Sequence, residues 1–201
     1  GEVRAALPAA PPESPEPFDA VMRDLDSIIL PGCTNWQSPS FFGYFPSNSA
    51  LAAVLGDLAS TGLAQLGLNW QSSPALTELE EVTTDWLRQM LDLPAAFRGV
   101  IQGTASEATL VALICARERA TGYAAARSGL QSAGKPLVVY VTAHSHSSVE
   151  KAALLAGFGR EQLRLVATDE AFAMDPDALE EAIREDRARG AQPCAVVATT
   201  G

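Results

Sequence analysis

Three stretches of the chain gather residue types that could do chemistry. In "IQGTASE" (101–107) an apolar strand end meets Gly103, Thr104, Ala105 and Ser106, then runs into a helix. The first amides of a helix lack intrahelical acceptors and the macrodipole adds roughly half a positive charge there, so a mouth of small side chains lets a phosphate reach the backbone. A tight turn with Ser as helix cap accounts for the same letters, and the stretch has neither Walker spacing nor a G-x-G-x-x-G fingerprint. The second stretch, "AHSHSSVEK" (143–151), holds the chain's two histidines, His144 and His146, at another strand-to-helix junction. On an extended path both imidazoles point the same way, which is half of a metal site, but no third histidine or suitably spaced carboxylate completes a ligand set. The other readings are a capping or structural role, or an imidazole lying against a planar ligand in the same crevice as Ser106. Third, "WQSPSFFGYFPS" (36–47) holds Trp36, Phe41, Phe42, Tyr44 and Phe45 among Pro39, Gly43 and Pro46. Such a cluster either fills a core or, on irregular backbone, walls a site for an aromatic ligand.

Regular elements must hold these groups in place. The first 17 residues carry five prolines and predict an extended tail or strap. Apolar residues three and four apart predict a helix over 18–30 that ends at Pro31-Gly32. An Ala/Leu-rich run over 49–68 predicts a mostly buried helix broken near Gly67. Ser73 as cap and Pro74 at the first position open another, with Leu76, Leu79, Val82, Trp86, Leu87 and Met90 on one side. After Pro94 the short apolar runs "GVIQ", "LVVYVT", "LRLVAT" and "CAVVAT" alternate with helical segments at 106–119, 147–156 and 177–189. Strands apolar on both faces, joined by crossover helices, predict an α/β fold with a mainly parallel sheet covered on both sides. The junctions at Gly103 and Ala143 then lie at carboxyl ends of strands, where open α/β sheets bind ligands.

Composition narrows the partners. A formal charge of −10 with only two lysines, Lys135 and Lys151, argues against nucleic acid or an anionic membrane, both of which need clustered cations. Cys33, Cys115 and Cys194 lack zinc-type spacing and are odd in number, so they read as free thiols of a reducing, cytoplasmic compartment. No run approaches a membrane span and no secretory signal is visible. Both ends read as cut from something longer.

Taken together, "SPSFFGYFPS", "LNWQSSPALTELE", "DWLRQMLDLP", "GVIQGTASEATLVAL", "AHSHSSVEKA" and "VVATTG" resemble, in order and spacing, the pyridoxal-phosphate-dependent group II decarboxylases, specifically the aromatic-L-amino-acid decarboxylases. The resemblance runs over nearly all of the chain. It implies fold type I of the pyridoxal-phosphate-dependent transferases, with residues 1–93 as an extended and helical segment for dimer and pocket wall. Residues 94–201 then begin the cofactor-binding large domain.

By the same resemblance, Thr104, Ala105 and Ser106 bind the phosphate of pyridoxal 5'-phosphate. His146 stacks on its ring near the substrate carboxylate, whereas His144 has no assigned role. Trp36, Tyr44, Phe45, Pro46 and Ser47 match the substrate-pocket wall. Leu66 and Leu68 match positions that reach the partner subunit's site in an obligate homodimer; relatives often carry an aromatic residue where this chain has Leu68. The implied reaction releases the carboxylate of an aromatic amino acid (tyrosine, DOPA or tryptophan) as CO2, with the cofactor as electron sink and no metal. The family's Schiff-base lysine and its "HVDAA" motif have no match here. The resemblance therefore implies a segment that is inactive without the remainder of the enzyme. An aldehyde synthase of the same family, or a non-catalytic binding module, is the alternative.

Overall fold

The computed structural model describes residues 1–44, 49–130 and 134–199. The chain folds as two compact units, Gly1–Leu68 and Asn69–Gly201. In the first, α1 (Glu2–Ala6) is one short helical turn where an extended tail was expected; the prolines begin only at Pro8, so nothing withholds amides before it. Residues 8–17 carry no regular element, as their proline content predicts. Helix α2 (Phe18–Asp24) continues through a π turn (Leu25–Ile29) and a 3₁₀ turn (Leu30–Gly32), stopping at the Pro-Gly pair as read from the sequence. Helix α3 (Leu51–Gly62) ends five residues before Gly67, and none of its residues is buried, contrary to the expected buried helix. Its Leu/Ala richness fits helix propensity as well as burial, and the two cannot be separated by composition.

The second unit opens with α4 (Pro74–Met90), led by the buried Ser73 and with Pro74 in its first turn. Its inward side is polar: Thr84 packs on Gly99, where a β-carbon would come within 2.6 Å of the Thr84 β-carbon. Of the apolar stripe read from the sequence, Leu76 is half-buried and Leu79, Val82, Trp86, Leu87 and Met90 are exposed. The "GVIQ" run is not a strand. Among the described residues no strand runs beside it, and the Ile101 amide donates instead to Glu80 Oε1 at 2.6 Å.

From there α5 (Ala105–Ala120) and α6 (Ala124–Ser128) lead to β1 (Leu137–Val141), α7 (Ser147–Leu155), β2 (Leu163–Leu165), α8 (Pro176–Ala188) and β3 (Gln192–Val196). The three strands form a parallel sheet in the order β2-β1-β3. Central β1 shows why its sequence is apolar throughout. Val139 and Val141 face a cluster with Leu113 of α5 and Val149, Ala152 and Ala153 of α7, while Val138 and Tyr140 face Ala182 of α8 and Val166. The sheet is thus covered on both sides, as expected. Helix α8 starts where the sequence indicates, with the Asp175 carboxylate accepting from the Asp177 and Ala178 amides, and ends at Gly190 in left-handed backbone (φ 81°). No described helix is long and apolar enough to cross a membrane.

Under α8, Tyr140 is fully buried and Asp186 nearly so, with Arg189 paired to one carboxylate oxygen. Burial first, and then the Asp186 carboxylate, push the Tyr140 phenol up to about 12. A folded-state pKa raised above that of the unfolded chain favours the fold fully at lower pH, and the contribution disappears as pH climbs through the folded value. In the complete protein, Tyr140→Phe is therefore expected to remove an alkaline loss of unfolding free energy between about pH 10 and about pH 12, on the order of 2 kcal/mol. Urea denaturation of both forms at stepped pH measures it. Asp175→Ala is expected to cost about 1 kcal/mol in the same assay, through the lost cap.

Candidate active site

The bare mouth at Gly103 becomes the N-terminus of α5. Thr104, in extended backbone (φ −146°), caps it by accepting the Glu107 amide on Oγ1 at 3.1 Å. The cap is therefore Thr104 rather than Ser106, and the T-x-x-E spacing of a capping box was the sequence signal for it. Ala105 and Ser106 occupy the first two helical positions, so their amides have no acceptor one turn back. Gly103 lies under the Glu107 carboxylate, and a β-carbon there would come within 2.5 Å of Glu107 Oε2. Four successive small residues leave this backbone approachable, with one acidic group on its flank.

His146 caps α7 with its own side chain. Its Nδ1 accepts the Ser148 amide at 3.2 Å and lies 2.8 Å from the Ser148 hydroxyl. The preceding turn is tied by the Ser145 amide to the Thr142 carbonyl (3.1 Å) and by the Thr142 amide to Ser145 Oγ (3.3 Å). The imidazole is otherwise exposed and borders a cavity of about 490 Å³ lined by Val141, Thr142, Val149, Arg160 and Leu163 among others. Ser106 does not line that cavity. His144 turns aside, its ring meeting Phe172 edge-on at 5.0 Å; Phe172 itself sits in left-handed backbone (φ 64°). Among the described residues no group of three His, Cys, Asp or Glu side chains is placed to hold a metal ion.

Helix direction brings the two mouths to one end. Arg117, in the last turn of α5, donates to the Ala156 carbonyl at the end of α7 (2.5 Å), so the helices run parallel. Gln192, at the start of β3, donates to the Ala120 carbonyl at the end of α5 (2.6 Å), which sets both helix starts at the carboxyl end of the sheet. From those tie points α5 runs back about 18 Å to its start and α7 about 14 Å, so both N-termini lie toward the carboxyl end of the sheet. Two unclaimed amides, two hydroxyls and an exposed imidazole at one sheet end suit a small phosphorylated ring: dipoles for the anion and a flat face for the plane. No lysine stands there. Lys135 precedes β1 at the opposite end, and Lys151 lies in the second turn of α7.

In the first unit Trp36 stacks on Tyr44 (centroids 5.5 Å apart, 17° between planes) and meets Phe41 at 5.0 Å. Trp36 and Tyr44 are exposed, and Tyr44 takes left-handed backbone (φ 57°), a conformation that costs a non-glycine residue on the order of 1 kcal/mol. The cluster is thus not a packed core within this chain. Leu66 and Leu68 are exposed as well, and Phe45, Pro46 and Ser47 lie outside the described residues. The residue that sequence reasoning missed is Ser148, whose signal was a serine two places after a histidine at a helix start.

Comparison with known proteins bears on this arrangement. The pyridoxal-dependent decarboxylase conserved domain matches residues 1–201. The aromatic-L-amino-acid decarboxylase of Bos taurus is 46% identical over 212 residues, covering all of this chain and 43% of the relative. The phenylacetaldehyde synthase of Arabidopsis thaliana is 44% identical over 211 residues, again all of this chain and 42% of the relative. The chain thus spans less than half the length of the curated relatives it matches. Catharanthus roseus tryptophan decarboxylase in complex with L-tryptophan superposes with a TM-score of 0.87 at 40% identity, over 98% of this chain and 43% of that one. With a family match from first residue to last and a helix mouth and imidazole at the sheet end, the chain belongs to the pyridoxal-dependent decarboxylase family.

Proposed function

We propose that the complete protein carrying this chain is a pyridoxal 5'-phosphate-dependent carboxy-lyase. It converts an aromatic L-amino acid of the tyrosine, DOPA or tryptophan class to its amine and CO2, as a cytoplasmic homodimer with sites at the subunit interface. What supports this reading is that the Thr104-Ala105-Ser106 mouth and His146 each head a helix whose start lies toward the carboxyl end of the parallel sheet.

When bound, the cofactor supplies an electron sink for the pair left on the substrate carbon as CO2 departs. The Ala105 and Ser106 amides and the Ser106 hydroxyl hold its phosphate. The Thr104 hydroxyl, which accepts from Glu107, still has its proton to donate to the same anion. His146 lays its face along the ring and turns its free edge to the substrate carboxylate. Trp36 and Tyr44 are the described residues assigned to the aromatic side chain of the substrate, together with Phe45, Pro46 and Ser47 of the sequence. Leu66 and Leu68 serve the partner's site, the aliphatic Leu68 leaving more room for the substrate ring than an aromatic residue would.

Replacing Ser106 with Asp is expected to weaken pyridoxal phosphate binding by about a hundredfold or more, since like charges about 4 Å apart repel by several kcal/mol at intermediate dielectric. Aspartate favours a helix N-terminus, so misfolding does not explain such a loss. Fluorescence titration of the complete apoprotein measures it, and unchanged affinity would remove the phosphate assignment. A second reading, aldehyde synthesis, is favoured by the near-equal identity to the Arabidopsis synthase. Incubating the complete protein with tyrosine, DOPA and tryptophan separates the two: decarboxylation yields amine and CO2 without ammonia or peroxide.

A further inference from the structure

We infer that Ser148 is a positioning residue that fixes which nitrogen His146 offers to its ligand. The inference rests on the proposed placement of His146 beside cofactor and substrate, and it deepens that placement. A backbone amide can only donate, so the 3.2 Å contact from the Ser148 N–H makes Nδ1 an acceptor. The proton of the neutral ring then resides on Nε2, on the edge turned away from the helix end. With Nδ1 accepting, the Ser148 hydroxyl at 2.8 Å must also donate, and two donors from one buried residue converge on a single lone pair. Their common direction sets the ring rotation as well as the tautomer.

The rest of the turn makes this hold firm. Ser148 is buried at the second position of α7, directly before the core residue Val149. The backbone carrying His146 is tied by Ser145 and Thr142, and the ring by Ser148. The exposed edge therefore presents an N–H, which suits an anionic carboxylate; the other tautomer would present a lone pair to the same anion and repel it. The role assigned to Ser148 is exercised through His146.

The test uses the complete protein labelled with ¹⁵N-histidine, in the parent, Ser148→Ala, Ser148→Thr and His146→Asn forms, with folding followed by circular dichroism. The His146 resonance is the one absent from His146→Asn. Expected in the parent is an unprotonated Nδ1 and a protonated Nε2. Ser148→Ala keeps the amide donor and loses the hydroxyl, so the two nitrogens are expected to shift part of the way toward an exchange average, with kcat down about five- to tenfold and KM within about twofold; Ser148→Thr, which keeps both donors, restores the spectrum and kcat. A parent ring protonated on Nδ1, or a Ser148→Ala form with parental ¹⁵N pattern and kcat, would overturn the inference. If His146→Asn itself leaves cofactor affinity and turnover unchanged, the placement of His146 fails instead. Loss in His146→Asn without any change in Ser148→Ala removes only the role given to Ser148.

Discussion

The burial of one strand on both faces is the constraint on which the second unit depends. Val139 and Tyr140 of β1 have no exposure at all, and the strand's alternate side chains feed two separate apolar clusters. A parallel strand so enclosed needs helices on both sides, and right-handed crossovers return each helix start to the carboxyl end of the sheet. The location of the site follows from this. Any backbone turn at that end is flanked by helix N-termini, and the chemistry is decided by which side chains head them.

The layered α/β region was legible because its signals are redundant. The "LVVYVT" run, the Asp175-Pro176 start and the Gly190 stop each have a local physical cause that nothing distant has to supply. Elements whose state depends on a distant partner were not. "GVIQ" has strand composition, yet a strand exists only beside another, and its one amide bond of note goes to Glu80. Helix α4 has an amphipathic pattern whose apolar side is the exposed one here, because periodicity states which residues share a face and not what lies against it. At the site, the small residues before α5 and the imidazole before α7 could be found from letters alone. The Thr104 cap was written in its T-x-x-E spacing, whereas that His144 turns to Phe172 and that Ser148 meets His146 depend on dihedral angles at the junctions.

His146 shows how the capping role, which the structure bears out, leaves room for the ligand role proposed for the same residue. It is a helix cap through Nδ1, and the residue as a whole stays exposed. The structural duty fixes the geometry that the proposed chemical role needs. The aromatic cluster of the first unit likewise answers neither simple description: its rings touch each other, yet Trp36 and Tyr44 stay open to solvent on strained or irregular backbone.

The parallel course of α5 and α7 carries a consequence for ionic strength. The chain as a whole is acidic, with a formal charge of −10, so a dianion approaching from bulk solvent is repelled over about a Debye length. At the mouth proposed for its phosphate it meets the N-terminus of α5, whose field acts only within the first turn. Added electrolyte screens the long-range repulsion well before it weakens the short-range attraction. Moderate salt should therefore speed the association of a phosphorylated ligand with this end of the sheet, the reverse of what a site built from lysine and arginine would do.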